Sequence, residues 1–400
     1  MIRILDRQYQ PLDRPSFRVP VAKSPYNRHR ILCHLASVRM PEEESNLPDD
    51  CRVLNDALSN NKGTVYLGKG GTSLRFYLAT RLLEPNPVKI EVDEQLKKRP
   101  IKSLIVALRQ LGLEISDDWP LNVRRINLPA HFIQLDPSQS SQFISALALV
   151  APFLENGLEI EFIRPPASES FLKLTLSILK EWNVSFDYQP LSLRIKAGHK
   201  PPSQLSLEGD WSSASYIILG AALRQQEIII TNLNLKSNQP DSALKNWLPK
   251  LGMSVEAHQN GLIFKPKKSK AAKLKLDFST CPDLAPTLCV WHVMTGNTIN
   301  FTGLGTLNDK ESRRLDALIS LLKDLNLNPR VKDDALFCVT ENAVFPSSYV
   351  AESYGDHRLV MAFCDLSLRI PEFYLSETQS VTKSFPEYWK QMACWKIASK

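Results

Sequence analysis

Leu67-Gly-Lys-Gly-Gly-Thr-Ser-Leu-Arg-Phe-Tyr-Leu78 is the stretch on which the reading of this 400-residue chain turns. Gly68, Gly70 and Gly71 allow a turn in which bare backbone comes close to a ligand. Thr72 or Ser73 is placed to cap a helix, which Leu74, Phe76, Tyr77 and Leu78 continue. A helix start offers unpaired N–H groups and a partial positive charge, a seat for phosphate or carboxylate. One such turn is ordinary punctuation. Its weight comes from repetition.

Outward from Thr72, small or polar helix starts recur at Ser24, Ser140, Ser212, Asp283 and Asp356. The first interval is 48 residues, and the next four are 68, 72, 71 and 73. A second signature is an amphipathic helix, a stop residue and a strand: Ile101 to Leu111 before Gly112, Leu172 to Trp182 before Asn183, Leu244 to Leu251 before Gly252, and Leu315 to Leu325 before Asn326. These stops lie 71, 69 and 74 residues apart. One supersecondary unit with two helices and several strands, used six times with a shortened first copy, accounts for both rhythms. Pro201-Pro202-Ser203 and a second crossing near Pro20 divide the chain into a discontinuous domain, 1–20 plus 206–400, and an inserted domain, 21–205, with three units each. Periodicity alone leaves two readings open: caps that merely start helices, or six starts directed at one anion-attracting cleft.

Composition narrows the function classes. With 43% hydrophobic and 23% charged residues the chain reads as globular, and no apolar run is long enough to span a bilayer. The N-terminus has no signal-peptide core, and the seven cysteines include no Cys-x-x-Cys pair, which points to reduced thiols in a cytoplasm and to no metal framework. A net charge of +7 is mild for this length. The basic run Lys265–Lys275 has no interleaved aromatic residue, so it reads as solvated surface rather than a nucleic-acid patch.

Cations crowd the helix starts: Lys23, Arg28, Lys69, Arg75, Arg99, Lys310, Arg313, Arg314, Arg358 and Lys383. That runs against the helix dipole, so these side chains need another partner, and an anionic ligand supplies one. Carboxylates are scarcer there. Asp210 and Asp356 read as caps, whereas Glu311, between Lys310 and Arg314, is either an ion-pair member or an acid–base group beside anionic substrate.

These stretches resemble the enolpyruvyl transferases, in particular the 5-enolpyruvylshikimate-3-phosphate synthases, from about Lys23 to Tyr388. The motifs are Lys23-Ser24-x-x-Asn27-Arg28, Gly71-Thr72-x-x-Arg75, Arg99-Pro100-Ile101, Ser140-Ser141-Gln142-Phe143, Glu208-Gly209-Asp210-x-Ser212, Pro282-Asp283, Lys310-Glu311-Ser312-x-Arg314, Asp356-His357-Arg358 and Lys383-x-Phe385-Pro386, in family order. The resemblance implies an α/β fold of two similar domains, each of three βαβαββ units, the inside-out barrel of that family. It implies transfer of the enolpyruvyl group of phosphoenolpyruvate to the 5-hydroxyl of 3-phosphoshikimate in a closing interdomain cleft, through a tetrahedral intermediate, by a cytoplasmic monomer without cofactor, metal, nucleic-acid or membrane partner. Carried over, Lys23, Gly71, Arg99, Gln142, Arg314, Arg358 and Lys383 surround phosphoenolpyruvate. Lys23, Ser24, Arg28, Ser140, Ser141, Gln142, Ser168, Asp283, Thr306 and Lys310 hold 3-phosphoshikimate. Asp283 is the implied base for the hydroxyl, Glu311 exchanges a proton with the methylene carbon, and Lys23 completes the catalytic set.

The chain departs from the family pattern at Pro20-Val21-Ala22, at Lys69 and Gly70, at Thr306 in place of asparagine, and at Phe171 in place of tyrosine. Rival readings are the sister transferase acting on UDP-N-acetylglucosamine, a catalytically silent paralogue, and an RNA-end-processing relative. The first typically has Lys-Asn where Lys23-Ser24 stands and a loop cysteine, yet no cysteine occurs between Cys51 and Cys281. The last would need a nucleophilic histidine, and His357 already belongs to a motif above.

Overall fold

The computed structural model describes residues 2–6, 14–41, 47–60, 63–267, 274–395 and 397–399. Its strands form five four-stranded sheets, all built on one plan. In each, one parallel pair lies at an edge and two antiparallel pairs complete the sheet. Thr64–Tyr66, helix Gly71–Thr80, Val88–Glu91, helix Lys102–Gln110, Leu113–Ile115 and Leu121–Arg125 make one copy. Val65 lies opposite Ile90 in its parallel pair and Ile115 opposite Val123 in its antiparallel pair. A parallel pair needs a crossover, and the helix supplies it; the antiparallel pair closes as a hairpin. The first copy keeps helices Lys23–Leu35 and Asp49–Ser59 without a sheet of its own among the described residues, which explains the short first interval.

The chain separates into two compact units, Ala22–Leu207 and Met1–Val21 with Glu208–Lys400. These are called the insert unit and the split unit below. The N-terminal segment completes two copies in the split unit. Ser16–Phe17 pairs in parallel with Ile228–Ile230, and Ile2–Asp6 sits between Glu372–Leu375 and Ile397–Ser399.

In most copies the first helix is apolar nearly all round and the second is amphipathic; Lys23–Leu35, which carries Arg28, His29, Arg30 and His34, is the exception. Helices of the first kind must be buried. Gly71–Thr80 accordingly packs on Lys23–Leu35 and Gln142–Val150, and Ala285–Thr295 packs on Trp211–Leu223 and His357–Phe363. The sheets cover these central helices. Phe76, Phe143 and Trp182 anchor the insert core, and Trp211, Phe264 and Phe278 the split core. Each such side chain contributes about 1.5–3 kcal/mol on burial. The predicted stops hold for a physical reason: Gly112, Asn183, Gly252 and Asn326 have φ of 101°, 55°, 77° and 60°. This left-handed conformation ends a helix and suits Gly or Asn.

No helix among the described residues is long and apolar enough to cross a membrane. Of the basic run, residues 268–273 lie outside the described residues, and Lys265 pairs with Glu256 at 2.9 Å.

Candidate active site

In the insert unit, three helices of the inner layer begin without a side-chain cap bond: Lys23–Leu35, Gly71–Thr80 and Gln142–Val150. This corrects the expectation that Thr72 or Ser73 caps the second of them. Gly70 occupies the cap position, and the Ser73 hydroxyl lies one turn inside, where it donates to the Asp50 carbonyl at 2.7 Å. Lys23 Nζ lies 2.9 Å from Asp50 Oδ2. The glycines are there for room. A Cβ at Gly70 would meet the Asp50 carboxyl carbon at 2.8 Å, and one at Gly71 would collide with Arg75 Nη1 and lie 2.9 Å from Arg99 Nη1.

Arg75 is buried and donates to Gln142 Oε1 at 2.6 Å and to the Pro100 carbonyl at 2.5 Å. Burial, then the charge of Arg99, pulls its pKa down to about 9, so it stays charged at neutral pH. Gly71, Arg99 and Gln142 therefore gather around one guanidinium, with Lys23 joined to the same helix start through Asp50. Arg28 is also buried. It donates to Thr175 Oγ1 at 2.7 Å, the Ser24 carbonyl at 2.8 Å and the Phe171 carbonyl at 3.1 Å, and burial lowers its pKa to about 9. Ser140 Oγ accepts from the Gln142 N–H at 3.3 Å, and Ser141 is the adjoining cap residue. Ser168, at the cap of Glu169–Glu181, has φ 51°, a strained value for a non-glycine residue.

The split unit gathers charge differently. Arg314 opens helix Arg314–Asp324 and donates to Asp283 Oδ1 at 2.7 Å, Glu311 Oε2 at 2.5 Å and Asp356 Oδ2 at 2.7 Å. Arg358 Nη2 lies 2.9 Å from Asp283 Oδ2, and Lys383 Nζ donates to Glu311 Oε1 at 3.0 Å. Five of the sequence-derived residues are thus one network. Burial alone would pull Arg314 down, but Asp356, Glu311 and Asp283 outweigh it and hold it above its usual value. For Asp283 burial pushes upward, while Arg358, Lys310 and Arg314 prevail and hold the carboxyl well below the usual range. Asp283 is ionised, as a base must be. Lys310 belongs to this neighbourhood by its charge, and Thr306 stands half-buried at the cap of the short turn Leu307–Asp309.

Asp210 is a helix cap, accepting from the Ser213 N–H at 3.0 Å. Asp356 is a cap as well, at 2.9 Å from the Arg358 N–H, but it also holds Arg314 and accepts from Ser312 Oγ at 3.0 Å.

These clusters sit at helix starts that recur with the repeat. The family model described as EPSP synthase (3-phosphoshikimate 1-carboxyvinyltransferase) matches residues 31–392. The chain belongs to the EPSP synthase family. A 3-phosphoshikimate 1-carboxyvinyltransferase of Bacteroides fragilis is 32% identical over 389 residues, 94% of this chain and 94% of its own length. One from Methanococcus maripaludis is 29% identical over 386 residues, covering 92% and 89%. Among solved structures, an EPSP synthase from Acinetobacter baumannii aligns with a TM-score of 0.76 at 19% identity, over 100% of this chain and 99% of that one. The enolpyruvyl transferase NikO from Streptomyces tendae gives 0.70 at 10% identity, covering 100% and 98%. These two likenesses bear on the fold alone.

For this EPSP synthase family member, sequence reasoning missed Asp50, Thr175 and Asp241. Asp50 looks like an ordinary acidic first-turn residue of helix Asp49–Ser59. Thr175 hides in the apolar run Leu172–Leu179. Asp241 is buried, takes a hydrogen bond from Ser212 Oγ, and is pushed up to about 7 by burial and then by Asp283. Its position in Asn-Gln-Pro-Asp reads as a turn, with nothing to signal the charge nearby.

Proposed function

We propose that this chain transfers the enolpyruvyl group of phosphoenolpyruvate to the 5-hydroxyl of 3-phosphoshikimate, releasing phosphate. The observation that carries the reading is the single guanidinium of Arg314 binding Asp283 and Glu311 at once, with Lys383 on the far oxygen of Glu311. An ionised base and a second carboxylate are thereby held among cations suited to two multiply charged anions. The hydroxyl oxygen bonds to C2 of phosphoenolpyruvate while Asp283 takes its proton and Glu311, which enters this step as the carboxylic acid, gives a proton to C3. In the second step the Glu311 carboxylate takes a proton back from C3, the C2–O bond to the phosphate group breaks, and phosphate departs with the proton held by Asp283.

Arg314, Arg358 and Lys383, with Lys23, Gly71, Arg99 and Gln142, engage phosphoenolpyruvate in this reading. Lys23, Ser24, Arg28, Ser140, Ser141, Gln142, Ser168, Thr306 and Lys310 engage 3-phosphoshikimate. Arg28 already bonds to Thr175, Ser24, Phe171 and, at 3.5 Å, Ser145, so its part rests on the little donor capacity that remains. The reaction needs no cofactor, and the chain acts as a cytoplasmic monomer on two small molecules. A phosphate-release assay with phosphoenolpyruvate and 3-phosphoshikimate tests the reading, with UDP-N-acetylglucosamine as the control acceptor. Release with the shikimate ester alone is expected. Release with the sugar nucleotide favours the sister activity, and release with neither leaves a silent paralogue.

A further inference from the structure

Arg75 has no part in the roles above, yet it bonds to Gln142, backs onto Gly71 and holds the carbonyl of the residue after Arg99. It is 1% exposed and lies behind Gly71, where an added Cβ would strike its Nη1. A guanidinium has five donors and no acceptor. The amide atom of Gln142 that lies 2.6 Å from Nη1 is therefore the oxygen, and the Gln142 NH2 faces away from Arg75. The second terminal nitrogen donates to the carbonyl of Pro100, the residue directly after Arg99. Both acceptors are neutral, and the Phe143 ring 5.5 Å from Cζ offsets only part of the cost of burying the charge. A simple space-filler would be better served by an apolar side chain.

We propose that Arg75 is a positioning residue for the phosphoenolpyruvate face of the insert unit. It turns the Gln142 amide so that NH2 is presented to the ligand, and it anchors the backbone that carries Arg99, without touching substrate itself. This rests on the enolpyruvyl-transfer reading. Phosphate release by the unmodified chain tests that reading separately.

The experiment is steady-state phosphate release by Arg75→Lys, Gln142→Ala and the double variant, with each substrate varied in turn. Arg75→Lys is expected to raise KM for phosphoenolpyruvate about 10-fold, as for a lost charge-assisted hydrogen bond. Its KM for 3-phosphoshikimate and its kcat should change less than its KM for phosphoenolpyruvate. In the Gln142→Ala background the same change should cost less, because one of its two routes is gone. Gln142→Glu covers the case in which Arg75→Lys does not fold. It keeps an acceptor for Arg75 but removes the outward donor, so thermal stability should hold while phosphoenolpyruvate binding, read by titration, is lost. Unchanged KM values in Arg75→Lys, an equal loss in both backgrounds, or full binding by Gln142→Glu overturns the proposal.

Discussion

Arg75 and Arg314 invite comparison, because each is a guanidinium 1% exposed in the first turns of a helix. Arg314 meets three carboxylates, and their attraction outweighs the cost of desolvation. Arg75 meets two neutral oxygens and a second cation, and desolvation prevails. The contrast extends to their surroundings. Helices Trp211–Leu223 and His357–Phe363 of the split unit are capped by Asp210 and Asp356, though Ala285–Thr295 is not, whereas none of Lys23–Leu35, Gly71–Thr80 and Gln142–Val150 of the insert unit is capped by a carboxylate, the Gln142 N–H donating instead to Ser140 Oγ at 3.3 Å. One unit holds positive charge already balanced. The other holds positive charge in excess, relieved chiefly by Asp50 at Lys23. In the proposed reading an incoming anion meets fewer competing carboxylates in the insert unit, where Asp50 holds Lys23, than in the split unit, where it competes with Asp283 and Glu311.

The largest expected effect comes from breaking the balanced side at its reactive member. Asp283→Ala and Glu311→Gln should each lower phosphate release by about 10²–10⁴-fold, while 3-phosphoshikimate binding stays measurable by calorimetry. Full turnover in either variant refutes the roles assigned. Next is a paired stability measurement by urea unfolding. Arg314→Met takes a cation from Asp283 and Glu311, which keep Arg358 and Lys383, and leaves the buried Asp356 without its guanidinium, so it should cost about 3–5 kcal/mol, whereas Arg75→Met leaves no charge behind and should cost far less. Equal losses would erase the comparison.

Asp241 sharpens it through pH. Its folded pKa, raised to about 7, lies above the usual value of an unfolded aspartate, so the native state holds the proton more tightly. Its contribution to stability therefore falls as pH rises from about 4 to about 7. Asp241→Asn should raise the melting temperature at pH 8 and change it little at pH 4; a uniform shift would mean that the proton is irrelevant. The smallest effect is expected at Lys69, which is exposed and lies 4.0 Å from Asp93. Lys69→Asn should change KM for phosphoenolpyruvate by about 2- to 5-fold, within the range of an exposed ion pair, and should affect 3-phosphoshikimate less. Equal changes for both substrates would remove Lys69 from the comparison.

What could be read from the chain alone follows from the range of the interactions involved. Helix starts, left-handed stops and the repeat interval are local, so Gly112, Asn183, Gly252 and Asn326 could be placed without coordinates. Asp283, Glu311, Arg314, Arg358 and Lys383 could be named because motifs carried them, but the ion pairs that join them span up to 75 residues of sequence, from Asp283 to Arg358. The cap at Thr72 or Ser73 failed because the helix begins earlier, with Gly70 at the cap position and both hydroxyl residues already inside the first turn. For Asp356 the cap is local and the grip on Arg314 is not. Arg75 stood in plain view in its motif, yet its meaning depends on a carbonyl 25 residues away and an amide 67 away.

Ile4 pairs with Ser399, and Ser16–Phe17 pairs with Ile229 and Ile230. A chain emerging from the ribosome thus delivers the whole of the insert while its earliest strand still lacks a neighbour. Ser16–Phe17 gains its neighbour once Ile228–Ile230 is made, but Ile2–Asp6 waits for Glu372–Leu375, so the sheet it joins is completed late. Trimming a few residues from the tail would accordingly unpair one edge of the head, two losses from a single cut.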